Sequence, residues 1–271
     1  MSLKVKDITK IMENYAPSKF KEDYDNVGLM VGDKNDKVTG ILIALDCTLD
    51  VIDEAVKKKC NLIITHHPLL FRKPSTITTD TLLGRKIIEL VKNGINLYSS
   101  HTNLDSVRDG VNEQVMKILG FESYTTMDLA NCRDNGDSVT GIGRIAKLQS
   151  PMIFGELIHK VKESLELLMV RVAGSEERVI NKVAVVNGSG QDYFALSKKM
   201  GADCIITGDT TYHYVSDFNE ENLCIIDAGH FNTEWPAIKI IAQNIQNLIK
   251  GIGYDIEITI SDLTRDPYKF K

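Results

Sequence analysis

Six short apolar runs constrain this chain more than any other feature. GILIALD (40–46), NLIITH (61–66) and INLYSS (95–100) lie in the first half. KVAVVNG (182–188), DCIITGD (203–209) and NLCIIDAGH (222–230) lie in the second. They are apolar almost without interruption rather than at alternate positions, the pattern of strands covered on both faces. Helical patterns separate them: TLDVIDEAVKKK (48–59), residues 81–93, VNEQVMKIL (111–119) closing at Gly120, and QDYFALSKKM (191–200). Strand–helix alternation of this kind implies βαβ units. The expected class is α/β with mostly parallel sheets.

The halves also resemble each other. IITHH (63–67) occupies the place of IITGD (205–209), and HTNLD (101–105) that of HFNTE (230–234). The second pair shares the pattern His-x-Asn-x-acid. The two matches have different offsets, so an insertion or deletion separates the copies. Two duplicated lobes are expected, although any two βαβ units share this element order. The division expected is 1–125 completed by 235–271 for one lobe and 126–234 for the other, with no inserted third domain. Between the copies, the polar stretch 131–138 precedes a strand over 139–146. Ser150 and Pro151 read as the cap and first residue of a helix over 152–165, and 167–174 as a strand. A helix over 234–249 carries Trp235, Ile238, Ala242, Ile245 and Ile249 at core spacing, and YDIEITI (254–260) alternates like an edge strand.

Composition excludes several classes. A 43% hydrophobic, 25% charged chain of 271 residues builds a sizeable core. A net charge of -5 argues against a broad nucleic-acid surface. Cys47, Cys60, Cys132, Cys204 and Cys224 form no C-x-x-C pair, and no apolar run approaches the roughly 20 residues that cross a membrane. A soluble cytoplasmic protein is expected.

The six histidines carry the chemistry. His159 sits among lysines of an amphipathic helix and reads as a solvated surface residue. His66, His67, His101, His213 and His230 follow strands, where open α/β sheets bind ligands. Adjacent strand residues face opposite ways. His66 and His67 therefore share a target only if the chain leaves the strand between them, which Pro68 favours. The alternative is a core histidine beside a surface one. Asp105 stands four residues after His101 and Glu234 four after His230, a spacing that puts two ligands on one helical face. Three histidines and two carboxylates exceed the ligands of one catalytic zinc. They suit two metals with a bridging carboxylate and an activated water.

HHP (66–68), SHTNLD (100–105), ITGDxxYH (206–213) and GHxxTE (229–234), in this order and with DNVGLMVGD (25–33), resemble the NIF-three-like family, also labelled GTP cyclohydrolase I type 2. The resemblance covers nearly the whole chain. It implies two α/β lobes of related topology with a dinuclear metal site between them, and a toroidal homohexamer, a trimer of dimers. Its metal ligands fall on His66, His67, Asp105, His230 and Glu234, with Asp105 bridging two divalent ions, Zn, Fe or Mn. It leaves His101 to orient Asp105 or bound water, and His213 to donate a proton or hold substrate. Asp209 then lines the cleft; the plainer reading makes Asp209 a helix cap and His213 merely exposed. Asp46 and Thr48 stand where substrate contact or a helix N-cap explains them equally, and Asn26 and Gly28 carry no derivable role. The implied activity is metal-activated water attacking a nucleotide substrate. A phosphoester substrate fits the same centre, and a non-enzymatic metal-binding or regulatory protein is the competing class.

Overall fold

The computed structural model of the chain describes residues 2–129 and 140–269. Cys132, the polar stretch 131–138 and Val139 at the head of the expected strand lie outside the described residues. The chain divides into two compact units, Met1–Leu104 with Ile238–Lys271, and Asp105–Ala237.

The first unit opens with α1 (Val5–Tyr15), which buries Val5, Ile8 and Met12 at three- and four-residue spacing. Strand β1 (Gly28–Val31) follows, then β2 (Ile41–Ala44), α2 (Leu49–Lys57), β3 (Leu62–Thr65), α3 (Leu82–Lys92), β4 (Asn96–Ser99) and the short helix α4 (Thr102–Ser106). Strands β2, β3 and β4 run parallel, and β1 pairs antiparallel with β4. Both Thr48 and Thr81 cap their helices by accepting a backbone N–H three residues on. One sheet face packs Leu42, Ile63 and Leu97 against Val51, Ile52 and Leu90 of the helices. Burying each such side chain is worth about 1.5–3 kcal/mol against leaving it exposed.

The second unit carries α5 (Val111–Ile118), β5 (Thr125–Leu129), β6 (Gly141–Ile153), α6 (Phe154–Ser164), β7 (Arg171–Ala173), β8 (Val179–Ser189), α7 (Phe194–Lys199), β9 (Cys204–Gly208), α8 (Tyr212–Glu220) and β10 (Cys224–Asp227). Helix α9 (His230–Gly251) begins in it, and the later turns of α9 with β11 (Ile258–Ile260) belong to the first unit. The six-stranded sheet is ordered β5-β6-β8-β9-β10-β7. Strands β8, β9 and β10 are parallel, and β7 is antiparallel to β10. In the first unit β11 lies parallel beside β2 and completes a five-stranded sheet, β1-β4-β3-β2-β11.

The two units therefore share a module: an antiparallel edge strand followed in sequence by three parallel ones. It runs through β1–β4 in one unit and β7–β10 in the other. IITHH ends β3 where IITGD ends β9, while HTNLD follows β4 where HFNTE follows β10. The differing offsets have a simple cause. The connection between the last two strands runs over residues 66–95 in the first unit and 209–223 in the second.

Several boundaries differ from the sequence expectation. Ser150 and Pro151 lie inside β6, and α6 starts at Phe154 with Ile153 as its cap. The β6–β8 register is interrupted between Lys147 and Met152, so the missing N–H of Pro151 falls where the ladder is already broken. The strand expected over 167–174 is reduced to β7, and that over 254–260 to β11. The units part at 104/105 and 237/238, where the sequence reading set 125/126 and 234/235. Helix α5 groups with the second unit because Glu113 pairs with Arg144 of β6. Among the described residues no helix is long and apolar enough to cross a membrane.

Arg144 is fully buried. It donates to Glu113 Oε1 at 3.3–3.4 Å and to the carbonyls of Gly141 and Gly143 at 2.7 and 3.0 Å. Burial pulls the Arg144 pKa below its ordinary value, and the neighbouring Glu113 offsets part of that shift. Removing one partner strands a buried charge, whereas an apolar pair of similar volume does not. Glu113→Ala is expected to lose about 3–5 kcal/mol in urea unfolding, and Arg144→Met with Glu113→Leu much less. A single-variant loss below about 1 kcal/mol refutes this.

Past β11, Ser261 Oγ and the Asp262 N–H both donate to Glu54 of α2, which also pairs with Lys58 at 2.7 Å. Burial raises the Glu54 pKa, but the bonds from Lys58, Ser261 and Asp262 outweigh it and hold the carboxyl below its ordinary 4.5. The stability this supplies is complete above that value and drains as pH falls through the lower folded one. Glu54→Gln is expected to be less stable than the parent near pH ~7 and to lose less on acidification to about pH 3. Parallel losses in the two urea series refute it.

Candidate metal centre

In the first unit, the ladder between β2 and β3 continues past the strand ends: His66 N–H reaches the Ala44 carbonyl at 3.4 Å and His67 N–H the Leu45 carbonyl at 3.0 Å. Thr65 Oγ1 donates to the His67 carbonyl at 2.8 Å and closes the turn before Pro68. Both imidazoles turn to one side, their centroids 5.2 Å apart. His101, just past β4, joins them with its centroid 5.1 Å from His66 and 5.6 Å from His67. One ring nitrogen from each of the three lies within 4.8 Å of the other two.

What holds these rings is informative. His66 Nδ1 meets the Ser100 carbonyl at 2.9 Å, His67 Nδ1 meets Asp46 Oδ1 at 2.9 Å, and His101 Nδ1 meets Asp25 Oδ1 at 2.9 Å. A carbonyl or carboxylate only accepts, so each Nδ1 carries the hydrogen, and in the neutral ring Nε2 is the atom with the lone pair. Burial alone would raise the Asp25 pKa. Bonds from His101 and from the Thr102 hydroxyl and N–H overcome this and pull it to about 2.

In the second unit, the first turn of α9 carries His230 and Glu234. The i, i+4 spacing brings His230 Nε2 to 3.1 Å from Glu234 Oε2. His230 Nδ1 donates to Asp209 Oδ2 at 2.7 Å, which leaves Nε2 as the ring atom that faces Glu234. Asp209 adopts a left-handed φ of 50°, uncommon for a residue with a side chain. Asp105 and Glu234 are both buried and share one amide: Asn187 Nδ2 donates to Asp105 Oδ1 at 2.9 Å and to Glu234 Oε1 at 3.2 Å. Asn187 Oδ1 is buried with no hydrogen-bond partner among the described residues, so the amide is turned for the carboxylates at the expense of its own oxygen. Gly188 follows at φ 61°, and a Cβ there would stand 2.4 Å from Glu234 Oε1. The close approach of backbone to carboxylate requires glycine.

Other expectations fare differently. The N-cap position of helix α8 is Thr211, which makes no side-chain cap bond, and Asp209 is a partner of His230 rather than a cap. His101 bonds to Asp25 through Nδ1, a partner the sequence reading did not assign. His213 is exposed on α8 with its ring edge-on to Tyr212, and no described contact brings it to His230 or Glu234. His159 is exposed and pairs with Glu163, as a surface residue should. Asn26, of the DNVGL stretch, donates to the Leu70 carbonyl at 2.6 Å. Asp25, Asn187 and Gly188 are new. Their signal was present in DNVGL and VNGSG, where an acid or amide stands within three positions of a glycine.

The donor chemistry fits a divalent cation. Imidazole nitrogens with fixed Nδ1–H groups and buried carboxylates sharing a neutral amide suit Zn, Fe or Mn.

The model of the Duf34/NIF3 (NGG1p interacting factor 3) family matches residues 3–267. The chain belongs to the Duf34/NIF3 family. Two Duf34/NIF3 relatives named GTP cyclohydrolase 1 type 2 homolog span it end to end. One from Clostridium acetobutylicum is 53% identical, covering 100% of both chains. One from Clostridium perfringens is 52% identical, covering 99% of this chain and 100% of its own. Among solved structures, Staphylococcus aureus hypothetical protein SA1388 is 27% identical and superposes with a TM-score of 0.91 over 100% of both chains. This Duf34/NIF3 chain thus has the fold of its solved relative and side-chain groups that could hold a metal.

Asn187→Ala removes the shared donor of two buried carboxylates. In chelator-treated protein it is expected to cost about 1–3 kcal/mol in urea unfolding. No change would show that the amide is dispensable.

Proposed function

We propose that this chain is a dinuclear metal-dependent hydrolase of the GTP cyclohydrolase type, in which His66, His67, Asp105, His230 and Glu234 would hold the metals. The observation that carries the reading is the uniform anchoring of the histidines: His66, His67, His101 and His230 each have Nδ1 bound to an oxygen acceptor. A ring fixed in that way offers Nε2 to an electrophile, the arrangement typical of metal-ligating histidine. Bound divalent ions supply an activated water and positive charge against the negative charge that develops in hydrolysis.

The residues of this chain do the remaining work. Asn187 holds Asp105 and Glu234 in place, and Gly188 leaves room for the Glu234 carboxylate. His101, fastened by Asp25, presents Nε2 beside His66 and His67 and is suited to bind or hand over a proton at that atom. His213 is assigned to substrate on the family resemblance alone. The names of the Clostridium relatives support a nucleotide substrate, GTP first. The family description, an interacting factor, favours a second reading in which the metal-loaded protein serves as a regulatory or binding partner without turnover.

Elemental analysis of protein purified without chelator is expected to find close to two divalent metals per chain. Loaded with Zn, Fe or Mn, the protein is expected to turn over GTP or a member of a phosphoester panel. His67→Ala and Asp105→Asn are expected to lower kcat/KM at least a hundredfold, on the order of the loss of a metal-site component. Absence of metal after reconstitution sinks the proposal. Metal bound without any turnover moves the assignment to the regulatory reading.

A further inference from the structure

Two half-exposed aspartates perform the same task in the two units. Asp46 is the second residue past β2, and its Oδ1 holds Nδ1 of His67, at the tip of the parallel neighbour β3. Asp209 is the first residue past β9, and its Oδ2 holds Nδ1 of His230, at the tip of the parallel neighbour β10. The register explains how each acid reaches its ring. Ala44 pairs with Thr65, so two further steps set Asp46 level with His67. Thr207 pairs with Asp227, so two further steps set Asp209 level with Gly229, one residue short of His230.

Duplication alone does not produce this recurrence. In the shared module β2 and β3 correspond to β8 and β9, whereas the second aspartate–histidine pair uses β9 and β10. The same contact has thus arisen on non-equivalent strands. Stability does not account for it either. The two carboxylate side chains are 55% and 49% exposed, and solvent-exposed ion pairs contribute about 0–1 kcal/mol at most. Asp209 also sits at a φ of 50°, a conformation that costs a residue with a side chain about 1–3 kcal/mol. A contact that adds so little to folding and stands on strained backbone is better explained by what it does to the ring.

We infer that Asp46 and Asp209 are positioning residues, which hold His67 and His230 in the Nδ1–H tautomer and aim Nε2 at the metal. The inference deepens the metal reading and rests on it for the role of Nε2. The assignment of the tautomer stands on the hydrogen bonds alone.

The test has two independent readouts on the full chain. Long-range nitrogen–proton NMR of chelator-treated protein is expected to show His67 and His230 protonated on Nδ1. Asp46→Ala should move His67, and Asp209→Gly should move His230, to the Nε2–H form that free imidazole prefers. Glycine at position 209 removes the carboxylate and accommodates the positive φ, so the variant is expected to fold. Competition titrations with Zn should then show affinity reduced about 10–100-fold in each variant. Asp46→Asn and Asp209→Asn keep an acceptor oxygen and should recover most of that loss, which a merely structural role would not predict. Glu163→Ala, which breaks the exposed His159–Glu163 pair, should alter neither readout. Unchanged tautomers overturn the inference, and so does zinc affinity within twofold of the parent. If the parent protein takes up no metal at all, the metal reading fails, and the tautomer measurement still decides what Asp46 and Asp209 do.

Discussion

The parallel hydrogen-bond register is the constraint on which the rest of the structure depends. Ala44 pairs with Thr65 and Thr65 with Ser99, so β2, β3 and β4 stop at one level. Thr207 pairs with Asp227 in the other sheet, with the same result for β9 and β10. Within each sheet, the residues just past those strands are delivered to one edge, although the strands are far apart in sequence. The side-chain period of a strand is two, so a slip of one residue would reverse each face and separate Asp46 from His67. The apolar cores fix the register, and the register fixes the polar edge.

Much of this was legible in the sequence, for reasons that differ by element. The parallel strands announced themselves because both faces are buried, which leaves an uninterrupted apolar run. His66, His67, His230 and Glu234 were legible because a strand end and an i, i+4 turn are local features. Helix α8 stood in the sequence only as the alternative to a cleft-lining segment, because it has no buried residue and so carries no strong apolar stripe. Ser150–Pro151 misled because the same dipeptide suits a helix start and an interrupted ladder. Asp25, Asp46, Asp209 and Asn187 act on rings and carboxylates from 21 to 82 positions away. Nothing in a single sequence marks an acceptor for a donor that distant.

The buried charges show three solutions to one electrostatic problem. Arg144 and Glu113 neutralise each other and fill their remaining valences with carbonyls. Asp25 is kept ionised by hydroxyl, amide and imidazole donors. Asp105 and Glu234 share a neutral amide, which supplies direction without compensating their charge. A cation bound by the native state but not the unfolded one would add about 2.7 kcal/mol at a hundredfold excess over its Kd. That coupling is largest where a fold holds like charges together, and Asn187 is where this fold does so.

The sheet of the first unit is finished by β11, whose residues 258–260 are made after every other strand described. The second unit is one continuous stretch of chain, whereas the first is assembled from segments on either side of it. During synthesis the second unit can close as soon as residue 237 emerges. The first waits with β2 as an open edge until the final strand and the Ser261–Glu54 latch arrive. Non-local pairings of this kind are slow to form and leave strand edges exposed meanwhile. The order of birth on the ribosome is therefore the reverse of the order in which the units are numbered.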